Sequence, residues 1–380
     1  MTTRFGFVST YPPTICGLAT FTSSLFSELV TSAGNEGRVI RLVETPQPPA
    51  GAEIVGQMVA GDSRSAYRAA ELLNDGDIAI VQHEYGVYGG ADGDEVLLLL
   101  RALTVPSVVV LHTVLSSPTP HQKSVLEAVV AAADAVVTMT LTAHQRLATG
   151  YAVDMRKVNV IPHGAPAVRS HALSVHSDLS VHSGRPTVLT WGLIGPGKGI
   201  EWGIAAMASL ADLYPTPRYV IAGQTHPKVL LREGEAYRDA LKAQVAALGL
   251  GDIVSFDSRY RDNVSLGDLV DSADVVLLPY DSTDQVTSGV LIEAVGALKP
   301  VVATRFPHAI ELLGAGAGLL VPQKNPAAMA TALRTLLTDR ELAAGMTRAA
   351  GAAGHELVWA AVAQRYLDLA GDLISARVAA

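Results

Sequence analysis

Short β-branched runs alternate with helical patterns from end to end of this 380-residue chain, and that alternation admits few folds. In the first half it predicts strands over Phe5–Ser9, Val39–Val43, Ile78–Gln82, Ser107–Leu111, Ala135–Thr138 and Val158–Ile161. Helical spacing fills the gaps, as over Gly17–Thr31, Ser63–Asn74 and His121–Ala132. The strand runs are apolar almost throughout, so both faces of each strand must be covered. Near-continuous apolar strands separated by helices specify doubly wound α/β layers built on parallel sheets.

The pattern lapses over 165–186, APAVRSHALSVHSDLSVHSGRP, where LSVHSD is followed by LSVHSG. Rich in Ser, His and Ala, residues 166–186 read as a linker with a surface loop. His171, His176 and His182 invite a metal site, but the tandem repeat accounts for their spacing and only Asp178 accompanies them, so no metal site is assigned. Alternation resumes with predicted strands at Thr187–Trp191, Arg218–Ala222, Ile253–Phe256, Val275–Pro279, Pro300–Thr304 and Gly318–Val321, then one long helical tail from about Asp339 to Arg377. The expected organisation is a first domain over 1–165, a second over 187–355, and a terminal helix over 356–380. Two such domains would face a central cleft.

Composition narrows the function. Apolar residues make up 49% and charged residues 17%, which excludes a disordered chain. The net charge of −8, with no long basic run, argues against a nucleic-acid partner. Cys16 is the only cysteine, so an internal disulfide and a cysteine metal knot are excluded, as suits a reducing compartment. No basic segment leads into an apolar stretch at the N-terminus, and runs such as VVVL and LLLL are too short to span a bilayer. A cytoplasmic protein is expected; transient contact with a membrane surface and the oligomeric state stay open.

In open α/β sheets ligands bind beyond the carboxyl ends of the strands, so those residues carry the functional reading. After Val275–Pro279 a polar loop leads to a helix opened by Ser288 and Gly289, whose free N–H groups suit a phosphate. Glu293, five residues on from Ser288, is the one charge in an apolar run. An ionised carboxylate only accepts hydrogen bonds, which suits the two hydroxyls of a ribose. The bland alternative is an exposed or paired helix charge. Trp191-Gly192-Leu193-Ile194-Gly195-Pro196-Gly197-Lys198-Gly199 is a Gly-rich turn after a strand, with Lys198 as a point charge. It is neither a Walker loop nor G-x-G-x-x-G. Gly223-Gln224-Thr225-His226 and Ser258-Arg259-Tyr260-Arg261 follow two further strands. Arg259 and Arg261 either reach a diphosphate or pair with surface acids; position after a strand favours Arg259 as the ligand contact.

The first half offers its own strand ends. A long loop, Ser9 to Cys16, feeds a helix whose tip carries Gly17 and Leu18. Gly17 serves either as a cap turn or as a backbone contact to an anion or sugar. His83-Glu84-Tyr85, His112 and His163 each follow a predicted strand. One histidine so placed can simply bond a loop carbonyl; two aimed at one cleft favour a functional reading.

The motifs Gly192…Lys198-Gly199, SGV-x-x-E over 288–293, and EAVGALKPVV, together with CGLATF, QHEYG, LHT, IPHG, GQTHP, GEAYR and SRYR, resemble glycosyltransferases of the GT-B fold, family 4 type, over nearly the whole chain. The resemblance implies a nucleotide diphosphate sugar as co-substrate, GDP-mannose or UDP-glucose with weight on GDP-mannose, no cofactor, and a hydroxyl acceptor. It implies a diphosphate on Lys198, ribose hydroxyls on Glu293, phosphate on the backbone of Ser288, Gly289 and Val290, and further donor contacts at Gly192, Gly223, Arg259 and Gln285. His112 would lie beside the transferred sugar, with Gly17, Leu18, His83, Glu84, Tyr85 and His163 toward sugar or acceptor. The tail helix would cross back to the first domain.

Two positions depart from the family pattern. Leu193 stands where Arg is common, with Arg259 as candidate replacement, and Gln285 stands where a Glu is common. Retention is implied, with Lys198, Arg259 and the Ser288 tip steadying the leaving diphosphate without a metal and His112 orienting the sugar. An inverting reaction would call on His83 or Glu84 as base. A phosphorylase or nucleotide-sugar epimerase, and a non-catalytic nucleotide-sugar binder, are the competing expectations.

Overall fold

The computed structural model describes residues 2–48, 50–167 and 184–379. The described chain divides into two compact units, Met1–Gly164 with Trp359–Ala380, and Ala165–Val358. The LSVHS repeat, with His176 and His182, and the preceding His171 lie outside the described residues.

The first unit is built on a seven-stranded sheet of β1 (Arg4–Ser9), β2 (Glu36–Val43), β3 (Ile54–Val59), β4 (Ile78–His83), β5 (Ser107–Leu111), β6 (Ala135–Thr138) and β7 (Val158–Val160). Their spatial order is β3-β2-β1-β4-β5-β6-β7, every pairing parallel. The edge strand β3 was not among the expected strands. Its IVGQMV sequence holds Gly56 and Gln57, and only Met58 is buried, so it lacks the apolar run that marks the inner strands.

Helix Gly17–Phe26 does not run on to Thr31 as one α-helix. It opens into a π-helical turn over Ser27–Ser32, in which Ala33 N–H reaches Glu28 O at 3.1 Å. The expected single tail is also two helices, Arg340–Gly354 and Trp359–Ala379. Between them Leu357 O accepts from Ala165 N–H at 2.6 Å, beside a parallel bridge of Ala165 with Val358. Pairing of the backbone with a distant segment interrupts the helix, and no local periodicity reports it. The second of the two helices joins the first unit. Its Trp359, Val362, Ala363, Tyr366 and Ala370 pack with Phe5, Phe7, Phe21 and Leu25, each large side chain contributing about 2 kcal/mol by leaving water.

The second unit holds six strands: β8 (Thr187–Trp191), β9 (Arg218–Ala222), β10 (Val254–Asp257), β11 (Val275–Leu278), β12 (Val301–Thr304) and β13 (Gly318–Val321). They lie in the order β10-β9-β8-β11-β12-β13, again all parallel. Successive residues feed opposite cores. Val188, Val275 and Leu277 enter one cluster; Leu189, Val276 and Leu278 enter the other. That two-sided burial is why the strands read as unbroken apolar runs. Each sheet is an open doubly wound sheet, and the architecture is GT-B.

Candidate functional site

Strand order in the second unit reverses direction between β8 and β11, which makes the space beyond their carboxyl ends the topological switch point. The chain there is backbone-rich. Gly192 follows β8 at φ +116°, and Gly223 follows β9 at φ +135°. A Cβ on Gly223 would lie 1.9 Å from Gly192 O, so the Gly223 loop admits no side chain at that crossing, while at Gly192 the restriction is its positive φ. Gly192 N–H donates to Ala222 O at 3.0 Å and Ile194 N–H to Gln224 O at 2.8 Å, locking the two loops together.

The Gly192 loop ends at Gly199, φ +62°, whose Cβ would meet Pro279 O at 1.9 Å. Beside it Asp281 N–H donates to Gly197 O at 3.0 Å. Lys198 places its Nζ 4.3 Å from the centre of the Tyr280 ring, a cation–π contact. Tyr280 is itself buried, stacked on Phe306 at 5.0 Å, with a buried hydroxyl that meets no partner.

Helix Gly289–Gly296 starts behind this loop. Ser288 is its N-cap, accepting from Leu291 N–H at 3.3 Å. Val290 Cγ2 comes within 3.4 Å of a Cβ position on Gly192, so the helix tip borders the Gly192 turn. One turn on, Glu293 Oε2 accepts the indole N–H of Trp191 at 3.0 Å. Burial, partly opposed by the indole hydrogen bond that favours the carboxylate, pushes the Glu293 carboxyl up to about 7. The arrangement offers a helix tip for an anion and, below it, a carboxyl group poised to ionise near neutrality.

In the first unit two histidines and a tryptophan gather around one ring. Phe21 meets His112 and His163 at 5.0 Å each and Trp359 at 5.2 Å, all edge-on. His112 Nε2 donates to Gln82 Oε1 at 2.7 Å, and its backbone N–H donates to His83 O at 3.0 Å. His163 Nδ1 donates to Gly164 O at 2.7 Å. His83 is fully buried, with both ring nitrogens lacking partners and its ring 5.3 Å from that of Tyr85. Burial holds all three histidines neutral, lowering His83 and His163 to about 4 and His112 to about 3; the neighbouring His163 and His83 add to the shift at His112.

Residues 175–352 match the family profile described as glycosyl transferases group 1. The chain is 31% identical over 274 residues to the D-inositol 3-phosphate glycosyltransferase of Kineococcus radiotolerans, a match covering 66% of this chain and 60% of the relative. Over residues 175–352 the chain is of the group 1 glycosyl transferase type. Among solved structures, its fold is shared by HepE of Anabaena in complex with UDP (TM-score 0.74, 17% identity, 97% of this chain and 100% of that one). Sucrose-phosphate synthase of Thermosynechococcus elongatus is as similar (TM-score 0.75, 19% identity, 98% and 100%).

Gly192, Gly223, Ser288, Gly289, Val290 and Glu293 come together around the switch point of the second unit, within the matched residues. Lys198 lies at the far end of the Gly192 turn. Arg259 is engaged elsewhere. It is three-quarters exposed and bonded to Asp257 through its Nε at 2.9 Å and Nη2 at 2.7 Å, while Arg261 grips the same carboxylate. Both guanidinium groups hold the Asp257 carboxyl well below its usual range, so surface pairing, the alternative weighed for these arginines, is what the structure shows for both. Gln285 turns its side-chain amide back onto Thr287 O.

Of the first-unit candidates, Gly17 is exposed at the helix tip, where a Cβ would meet open space. Leu18 is half-buried and lends its carbonyl to Thr22 Oγ1. Glu84 accepts from Thr113 Oγ1 and from Tyr85 N–H, and the Tyr85 hydroxyl reaches Gln122 O at 3.4 Å. Tyr280 and His308 were not singled out by any motif. Their one signal is position: each stands within four residues of the end of a central strand. Among the described residues no cluster of three His, Cys, Asp or Glu is placed to hold a metal, and no helix is long and apolar enough to cross a membrane.

Proposed function

We propose that the protein is a retaining hexosyltransferase that moves a sugar from a nucleotide diphosphate to a hydroxyl acceptor. The observation that carries this reading is the Glu293 carboxyl, set one turn below the Ser288 helix tip and held by Trp191 at 3.0 Å. Phosphate at the tip and ribose hydroxyls at the carboxylate match the two ends of a nucleoside diphosphate. The chain spans about 60% of the length of the curated relative it matches, and that relative is named for transfer to an inositol phosphate.

In the proposed reaction the bond between the anomeric carbon and the diphosphate oxygen breaks, and the acceptor oxygen bonds the same face of that carbon. The departing diphosphate oxygen takes the acceptor's proton, so no side-chain base is needed. Lys198 and the amides at the helix tip stabilise the charge that builds on the leaving group. His112, neutral and fixed by Gln82, orients sugar hydroxyls rather than removing a proton.

Mannosyl transfer from GDP-mannose is the finer reading; UDP-glucose stands beside it, and HepE has been solved with UDP-glucose. The deciding experiment is a thermal-shift panel of GDP, UDP, ADP and their sugars on the parent chain and on Glu293→Ala. A bound ligand raises stability in proportion to ln(1 + [L]/Kd). A shift with one nucleotide, lost in the variant, supports the reading and names the base. No shift with any nucleotide refutes it.

A further inference from the structure

The helix tip is held from outside its own segment. His308 is buried at 3% exposure, in helix Pro307–Leu313, which follows β12. Its Nδ1 accepts the backbone N–H of Ser288 at 2.8 Å. Its own backbone N–H donates to Gln285 O at 3.3 Å. One residue thus grips both ends of the 285–288 segment, the stretch that sets where helix Gly289–Gly296 begins.

The grip also decides which donors face a ligand. A helix leaves its first N–H groups without intrahelical acceptors. Here the Ser288 amide is consumed by His308, and the Leu291 amide by Ser288 Oγ at 3.3 Å. Ser288 has no amide left to offer an anion. Gly289 and Val290 are then the amides of this first turn that stay unpaired among the described residues. Accepting at Nδ1 fixes the tautomer as well: the ring proton sits on Nε2.

We propose that His308 is a positioning residue of the donor site. Through its Nδ1 it fixes the Ser288 backbone so that the Gly289 and Val290 amides, and not that of Ser288, receive the nucleotide diphosphate. This rests on the nucleotide-sugar reading above. It assigns His308 no contact with the reacting atoms.

Two variants separate the acceptor from the bulk. Asn places its Oδ1 close to where His carries Nδ1, so His308→Asn keeps an acceptor for Ser288 N–H, whereas His308→Ala removes it. Calorimetric titration with UDP, GDP and ADP is run on both variants, alongside Glu293→Ala. His308→Ala should raise Kd for the nucleotide that binds the parent by about tenfold, the worth of one lost buried hydrogen bond to a backbone amide, and His308→Asn should return it to within about threefold. Hydrogen exchange over 286–291, measured without nucleotide, should quicken in His308→Ala and not in His308→Asn.

Parent-like binding by His308→Ala, or equal loss in Ala and Asn, overturns the proposal, because packing rather than the acceptor would then be at work. Unchanged exchange in His308→Ala overturns it whatever the nucleotide does. If the parent binds none of the three nucleotides while exchange responds as expected, the backbone grip stands and the donor-site role falls together with the transferase reading.

Discussion

The indole N–H of Trp191, the last residue of β8, donates to the Glu293 carboxylate at 3.0 Å, bridging 102 residues of sequence. The bond ties the strand at the switch point to the helix that opens on its other side. It favours the ionised form of Glu293 against the burial that raises its pKa. Removing it leaves burial unopposed, so Trp191→Phe should raise the Glu293 pKa above its present value of about 7. If the ribose is held by the carboxylate, nucleotide affinity in the parent weakens as pH falls below about 7, and the midpoint moves upward in Trp191→Phe. Titrations across that range check both statements.

Glu293 also makes a stability prediction of definite sign. Its folded pKa lies above the ordinary 4.5, so between 4.5 and about 7 the folded chain holds a proton that the unfolded chain releases. Stability therefore declines as pH rises through that window, and the cost is complete above the folded pKa. Glu293→Gln removes the cost. The variant should gain Tm relative to the parent above pH 7, show less gain below pH 4.5, and lose nucleotide binding.

The buried histidines act in the opposite sense. His83, His112 and His163 titrate at about 4, 3 and 4 in the fold, against 6.5 when unfolded. Below 6.5 the unfolded chain binds protons that the folded chain refuses, so stability is fully present above 6.5 and lost as pH falls toward 4. His83, buried without a partner for either ring nitrogen, is the clearest test. His83→Leu should flatten the fall in Tm between those limits.

Where the Gly192 and Gly223 loops cross, Gly223 tolerates no side chain. Gly223→Ala combines φ +135° with a Cβ 1.9 Å from Gly192 O. A loss of about 2 kcal/mol or more in urea unfolding is expected, the scale of a forced backbone strain. Gly17→Ala, where a Cβ meets open space, is the control and should unfold like the parent.

Lys198 and Arg259 separate under mutation. Lys198 is bound to nothing stronger than the Tyr280 ring, whereas Arg259 is bonded twice to Asp257. Lys198→Ala should lower kcat by about 100-fold, as for loss of one group that stabilises transition-state charge. For Arg259→Ala less than about threefold is expected, because an exposed pair exchanged for solvent is worth little. A loss of kcat in Arg259→Ala as large as that in Lys198→Ala would return Arg259 to the catalytic set.

How far the sequence speaks for itself depends on how local each determinant is. Twelve of the thirteen strands among the described residues are legible in the sequence, the inner ones as apolar runs because two-sided burial writes itself into consecutive residues. The Ser288 cap, the Gly192 turn and Glu293 are legible for the same reason: each is a local signature on one strand end or helix start. Edge strand β3, buried mainly at Met58, leaves no such trace. The break at 355–358 is invisible because its cause, pairing with Ala165, lies 192 residues away (357 − 165).

The sequence by itself determined the class of fold and the order of the inner strands and most helices, and it named the strand ends as candidates for chemistry, since these follow from periodicity and turn chemistry within a few residues. Only the tertiary structure decided the partners: Trp191 on Glu293, His308 on Ser288 and Gln285, Asp257 on Arg259. A hydrogen bond between distant segments depends on where the sheet brings them, and a pKa depends on the burial that results. Those quantities come into being only when the chain has closed its core.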